Sequence, residues 1–140
     1  MRRGMSLLEL LLAIAVSGLL LGIALPRLSS LRDHLMVDEE VRRLVSAHRR
    51  ARITAILQST PVVLSIGPES LTIHAASEPD VGWEEAGPTS RGVELAGGSK
   101  RLTFSPVGIT TGVSNASFTL SRGAAARTVV VSRLGRLRVR

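Results

Sequence analysis

The chain has 140 residues, room for one small domain besides the apolar stretch that ends at Pro26, and its lack of cysteine excludes disulfides, thiolate metal sites and a cysteine nucleophile. Aromatic residues are 2% of it, namely Trp83, Phe104 and Phe118, so Leu, Val, Ile and Ala must fill the core and few surfaces remain for stacking bases or sugars. The net charge of +7 is uneven: eight bases and no acid follow Leu95, whereas Glu69 to Glu94 holds six acids and one base, which points the C-terminal part toward nucleic acid, lipid headgroups or an acidic neighbouring subunit.

The first element is "MRRGMSLLELLLAIAVSGLLLGIALP". From Leu7 to Leu25 only Glu9 and Ser17 are polar, about 19 positions against the roughly 20 that a helix needs to cross the hydrocarbon. Arg2 and Arg3 place the N-terminus in the cytoplasm and everything after Pro26 outside. A secretory signal peptide has a shorter apolar run, a small-x-small cleavage site and no acid within it. A plain anchor accounts for the length and not for Glu9, since an ionisable group at that depth is costly.

The order of basic leader, Gly4, then an apolar helix with an early acid resembles the class III signal of type IV prepilins and pseudopilins. The resemblance implies cleavage between Gly4 and Met5 by an inner-membrane prepilin peptidase, methylation of the new terminus at Met5, and retention of the helix in the mature protein. It places Glu9 at the fifth mature position and Pro26 at the twenty-second, where the family carries them. There the glutamate meets the N-terminal amine of an adjacent subunit, which makes a carboxylate in lipid tolerable.

Beyond Pro26 a helical period continues. Leu28, Leu31 and Leu35, then Val41, Leu44, Val45, His48, Ala51, Ala55 and Ile56, recur at three- and four-residue steps. One apolar face is expected to pack, with Asp38–Arg42 and Glu39–Arg43 as i,i+4 pairs and His48 as a boundary core residue. The helix is expected to reach about Gln58, to kink or melt locally at Pro26, and to be closed by Pro61. Arg42, Arg43, Arg49, Arg50 and Arg52 suit a solvated face with subunit contacts, or a phosphate site.

From Val62 the texture changes to short β-prone runs between turn residues. Strands are expected at 62–66, 70–75, 91–96, 101–105, 116–121, 127–132 and 135–140. The intervening turns are Gly67-Pro68, a long loop from Pro79 to Pro88, Gly97-Gly98, Pro106 to Gly108, Gly112 to Asn115, and Arg122-Gly123. Successive hairpins predict one antiparallel sheet covered on one face by the amphipathic part of the helix, an α+β fold.

The tail "LTFSPVGITTG … TVVVSRLGRLRV" is similar to the minor pseudopilin family called GspH/FimT, on Phe104, Pro106, Gly108 and the Gly135-Arg136-Leu137-Arg138 run. Strand periodicity puts Arg136, Arg138 and Arg140 on one face and Leu137 and Val139 on the core side. With Arg133 they form either a phosphate comb or a charged guard on an exposed edge strand. DNA capture by such C-terminal arginines is something the resemblance implies for some members.

No nucleophile elbow, phosphate-cradling loop or His-Glu-x-x-His stands in the sequence, and His34, His48 and His74 are too dispersed for a metal, so neither an enzyme nor a cofactor or small-molecule substrate is expected. Glu84-Glu85 beside Trp83 suit a solvated loop, with calcium as the alternative. The domains expected are a leader (1–4), a transmembrane assembly helix (5–26), an amphipathic helix (27–60) and a β-rich domain (61–140). The resemblance implies a minor pilin or pseudopilin of a type IV pilus or a type II secretion pseudopilus, held in the bacterial inner membrane with its C-terminal domain periplasmic. Other pilins, the prepilin peptidase, an assembly ATPase system and, for the alternative in natural transformation, DNA are its implied partners.

Overall fold

The computed structural model describes residues 6–111, 116–132 and 134–140. Helix α1 (Leu7–Gln58) is followed by β1 (Val62–Ile66), β2 (Ser70–Ala75), β3 (Glu78–Ala86), a 3-10 turn (Pro88–Arg91), β4 (Glu94–Ala96), β5 (Lys100–Phe104), β6 (Thr110–Thr111), β7 (Ala116–Arg122), β8 (Ala125–Val131) and β9 (Leu137–Val139). The chain divides into two units, a stem that ends at Arg32 and a second unit, Asp33–Arg140.

Pro26 lies inside α1, and helix continues through it, so the expected local melting does not occur. The helix ends at Gln58; Ser59 takes a left-handed φ of 53°, and Pro61 follows. In the second unit α1 buries Val37, Glu40, Val41, Leu44, Ala47, His48, Ala51 and Ala55. Steps of three and four keep these on one side. Leu35 and Ile56, expected on that side, are 55% and 45% exposed instead, and Leu28 and Leu31 in the stem are 60% and 56% exposed. The apolar period thus runs past the stretch that the β-domain covers.

Two antiparallel sheets replace the single one expected. The first has the order β3-β2-β1-β5-β6 and the second β4-β7-β8-β9. The 3-10 turn at Pro88–Arg91, closed by Gly92 at φ 69°, carries the chain from one sheet to the other and shortens the expected strand at 91–96 to β4. One core serves both sheets and the helix: Phe104 of β5 and Phe118 of β7 are fully buried with Leu44, Leu64 and Leu120. Apolar burial of this kind contributes roughly 25 cal/mol per Å² and is the main force joining α1 to the sheets.

Residues 79–88, expected as a loop, contain most of β3. Its pairing with β2 shifts register between His74 and Ala75, so that Ala75 faces Glu78 while His74 faces Gly82. The extra residues bulge out at Pro79 and Asp80, which lets a strand contain turn-forming residues. Glu85 is accordingly half-buried on a strand and paired with Arg43, and Glu84 alone is exposed. β6 is a second unexpected strand, two residues that pair Thr103 with Thr111 and Phe104 with Thr110. The expected turn from Gly112 to Asn115 lies outside the described residues.

The ion pairs also differ from those that helical spacing suggests. Arg127 Nε meets Asp38 at 3.0 Å, and Arg91 Nη1 meets Glu39 and Glu40 at 3.1 and 3.2 Å. Arg122 Nε donates to Asp33 at 2.9 Å, while Arg43 joins Glu40 at 3.3 Å and also pairs with Glu85. Arg42 Nε donates to the Asp38 carbonyl at 3.3 Å. Asp33, Asp38, Glu39 and Glu40 thus bind arginines of the β-domain, and Arg43–Glu40 is the pair within the helix. Glu40, 2% exposed, is the buried end of this network, and its Oε2 has no partner.

Candidate assembly stem and arginine edge

The stem is built by its own helical chemistry. Ser6 Oγ accepts the Glu9 N–H at 3.2 Å, an N-cap that starts the helix and seats Glu9 in the first turn, where the positive end of the helix dipole favours an acid. Ser6 and Glu9 have the S-x-x-E spacing of a capping box, a signal legible in the sequence that the apolar pattern overshadowed. Ser17 Oγ donates to the Ala13 carbonyl at 2.8 Å and Ser29 Oγ to the Pro26 carbonyl at 2.8 Å. Both hydroxyls are therefore satisfied within the helix, which lowers their cost in an apolar medium.

Every described residue from Ser6 to Arg32 is exposed. Among the described residues this is the one helix long and apolar enough to cross a membrane. Glu9 is its single acid from Leu7 to Leu31. Gly18 and Gly22 stand four apart with nothing within 4 Å of where a Cβ would point, so the backbone is open to close approach on that side. Gly4 and Met5 lie outside the described residues.

The arginine edge is β9, the last strand of the second sheet. Val130 faces Arg138 in the register, and the ladder is extended by Thr128, which exchanges hydrogen bonds of 2.8 and 2.9 Å with Arg140. Gly135, at φ 70°, makes the turn into β9, with the Arg136 carbonyl accepting from Ser132 N–H at 2.9 Å. Arg136, Arg138 and Arg140 are all exposed and line one open groove of about 400 Å³ with Val130, Ser132 and Leu137. None of the three makes an ion pair among the described residues. Arg133 lies outside the described residues. Leu137 packs on the core as expected, but Val139, beside Val129 on the edge strand of the sheet, stays 45% exposed.

His48 is deeper than a boundary residue. It is 3% exposed, meets the Phe104 ring edge to face at 4.9 Å, and neither ring nitrogen has a partner. Burial first, then the positive charges of Arg52 and Arg49, lower its pKa to about 4, so the ring is neutral at physiological pH. Of the other arginines on α1, Arg43 pairs with Glu85 and Arg50 lies over the Trp83 ring at 5.1 Å. Both contacts join α1 to β3. Among the described residues no group of three His, Cys, Asp or Glu side chains gathers in the manner of a metal site.

An exposed apolar helix opened by an acid, joined to a two-sheet domain, is an arrangement met elsewhere. Residues 40–135 match the family described as type II transport protein GspH, and residues 1–25 match the prokaryotic N-terminal methylation motif. The chain belongs to the GspH family of minor pilins and pseudopilins. This GspH-family protein is 38% identical to the pilin-like protein PilA1 of Thermus thermophilus, over 99% of its own length and 98% of that relative. Two crystal structures of the type IV minor pilin FimU of Pseudomonas aeruginosa share its fold, with TM-scores of 0.61 and 0.60 at 16% identity. They cover 74% of this chain and 87% and 92% of theirs.

Proposed function

We propose that this GspH-family protein is a minor subunit of a type IV pilus, assembled through its stem after cleavage between Gly4 and Met5 and methylation of Met5. The observation that carries the reading is the stem: exposed over its whole described length, apolar from Leu7 to Leu25 but for Ser17, whose hydroxyl is satisfied within the helix, and one carboxylate, Glu9, in its first turn. Such a helix has two suitable surroundings, lipid before assembly and other stems after it. Residues 1–4 are then the leader, 5–26 the membrane and assembly segment with Pro26 as its helix proline, and the parts 27–60 and 61–140 lie in the periplasm of a bacterial inner membrane.

Glu9 is met by the N-terminal amine of the next subunit, released by the prepilin peptidase. An acid and an amine buried together cost far less than an acid alone. The protein acts by assembly and holds no small molecule. The choice of pilus over secretion pseudopilus is supported by the name of the PilA1 relative, a pilin-like protein. The mass of the membrane-extracted protein tests the processing: a polypeptide beginning at methylated Met5 is expected, and one retaining Gly4 refutes it. Deletion is expected to abolish surface pili while leaving secreted proteins unchanged.

A second reading has its own observation. Arg136, Arg138 and Arg140 line a single groove without acidic partners, the requirement for binding a phosphate backbone such as DNA taken up in natural transformation. Arg133 is the fourth candidate by its position in the sequence. A gel shift of duplex DNA that weakens steeply with salt and is lost in Arg136→Ala/Arg138→Ala is expected. No shift at low salt leaves the arginines as a guard against edge pairing.

A further inference from the structure

The second unit carries an exposed apolar surface that its own folding does not use. Ile53, Ile56 and Leu57 at the end of α1, Val107 and Ile109 after β5, and Leu134 before β9 are 43% to 78% exposed. Two glycines bring these segments together. Gly108, at φ 77°, runs so close to α1 that a Cβ would stand 2.8 Å from Ile56 Cδ1 and 3.1 Å from Arg52 Nε. A Cβ on Gly135 would lie 3.4 Å from the Gly108 carbonyl oxygen. Contiguous apolar surface of this kind marks an interaction site.

Cations flank it. Arg49 is exposed and Arg52 half-buried, and neither makes an ion pair among the described residues, whereas Arg43, Arg91, Arg122 and Arg127 are all paired with acids. A suitable occupant is therefore apolar over several helical turns and contains an acid without a base beside it. The stem has that composition beyond the leader: apolar from Leu7 to Leu25 except for Glu9 and Ser17, and without a lysine or arginine from Met5 to Pro26.

We infer that this end of the second unit is a docking surface for the stem of a neighbouring subunit, with Arg49 and Arg52 placed to receive that neighbour's Glu9. This rests on the filament reading given above and adds to it a named seat for the stem. Apolar contact excludes water from the acid, and the guanidinium groups supply a cation besides the N-terminal amine. A buried carboxylate is better compensated by several hydrogen-bond donors than by one.

The absence of cysteine allows a clean test in the full-length protein in cells that make the filament. Val107→Cys, 73% exposed in the wild type, is combined with Leu11→Cys in the stem, and isolated filaments are oxidised. A disulfide-linked dimer is expected with the pair, no dimer with either single variant, and loss of the dimer on adding Arg49→Glu. Leu134→Cys in place of Val107→Cys is expected to behave alike, which guards against one poorly tolerated site. Filaments that contain the double-cysteine protein but give no dimer overturn the docking surface and leave the filament reading standing. Absence of the wild-type protein from filaments overturns both. If Val107→Cys is shielded from a water-soluble maleimide only in membranes of cells unable to assemble filaments, the occupant is lipid and the proposal fails.

Discussion

Lowering the pH is expected to destabilise the second unit through His48. Its folded-state pKa of about 4 lies below the value near 6.5 of an unfolded histidine, so the unfolded chain binds the proton first. The contribution of the neutral ring is fully present above the unfolded value and is lost as the pH falls toward 4. Linkage between these two values gives a loss of about 2 kcal/mol at pH 5 and about 3 kcal/mol at pH 4, relative to pH 7.5. The cause is local: both nitrogens lack partners, Phe104 covers the ring, and Arg49 and Arg52 repel a second positive charge. The assay is urea unfolding of a fragment from Arg27, wild type against His48→Leu, at pH 7.5 and pH 5. Other titrating groups are common to both chains, so the difference between their unfolding free energies isolates the histidine. It is expected to shift by about 2 kcal/mol in favour of His48→Leu at pH 5. Parallel stabilities across this range refute the reasoning, as does an NMR titration of His48 with a midpoint above 6.

Three further outcomes are expected. Arg91→Ala removes one of the two cations on Glu40 and should lower unfolding stability by about 1–3 kcal/mol, with Glu40→Gln recovering part of the loss in the double variant, read by thermal melting. Gly108→Ala forces a left-handed φ on alanine and drives its Cβ toward Ile56, which should cost about 1–3 kcal/mol in the same assay; an unchanged melting temperature contradicts the close approach. Glu9→Leu should insert into the membrane as well as the wild type yet fail to enter filaments, measured by comparing membrane and sheared-filament fractions; normal incorporation removes the assembly role of Glu9.

What could be read beforehand follows the range of the interactions. The apolar stem, the end of α1 and the early acid are written in neighbouring residues, since hydropathy, helical period and capping act over a few positions. Most strands could be placed for the same reason, from alternating apolar residues between turns. β3 was hidden because Pro79, Asp80 and Gly82 carry turn chemistry, and a strand forms there only because β2 offers hydrogen bonds across a shift in register. The acids from Asp33 to Glu40 look like partners for the arginines four residues along the helix. Arg91, Arg122 and Arg127 reach most of them instead, from 51 to 89 residues away in the chain for the hydrogen-bonded pairs of Arg91 with Glu40 and Arg122 with Asp33.

The sequence by itself therefore determined that this protein has an apolar helical stem with one acid, a β-rich domain without thiol chemistry and a basic C-terminal end. Only the tertiary structure decided that the strands divide into two sheets around one core, that Glu40 and His48 lie inside, and that Leu35 stays outside. It also gathered the arginines of β9 in one groove and the apolar ends of α1, β5 and the last turn in one patch. Local patterns depend on residues a few positions apart, whereas burial and pairing depend on which distant segments meet, and those meetings are chosen by the free energy of the whole fold.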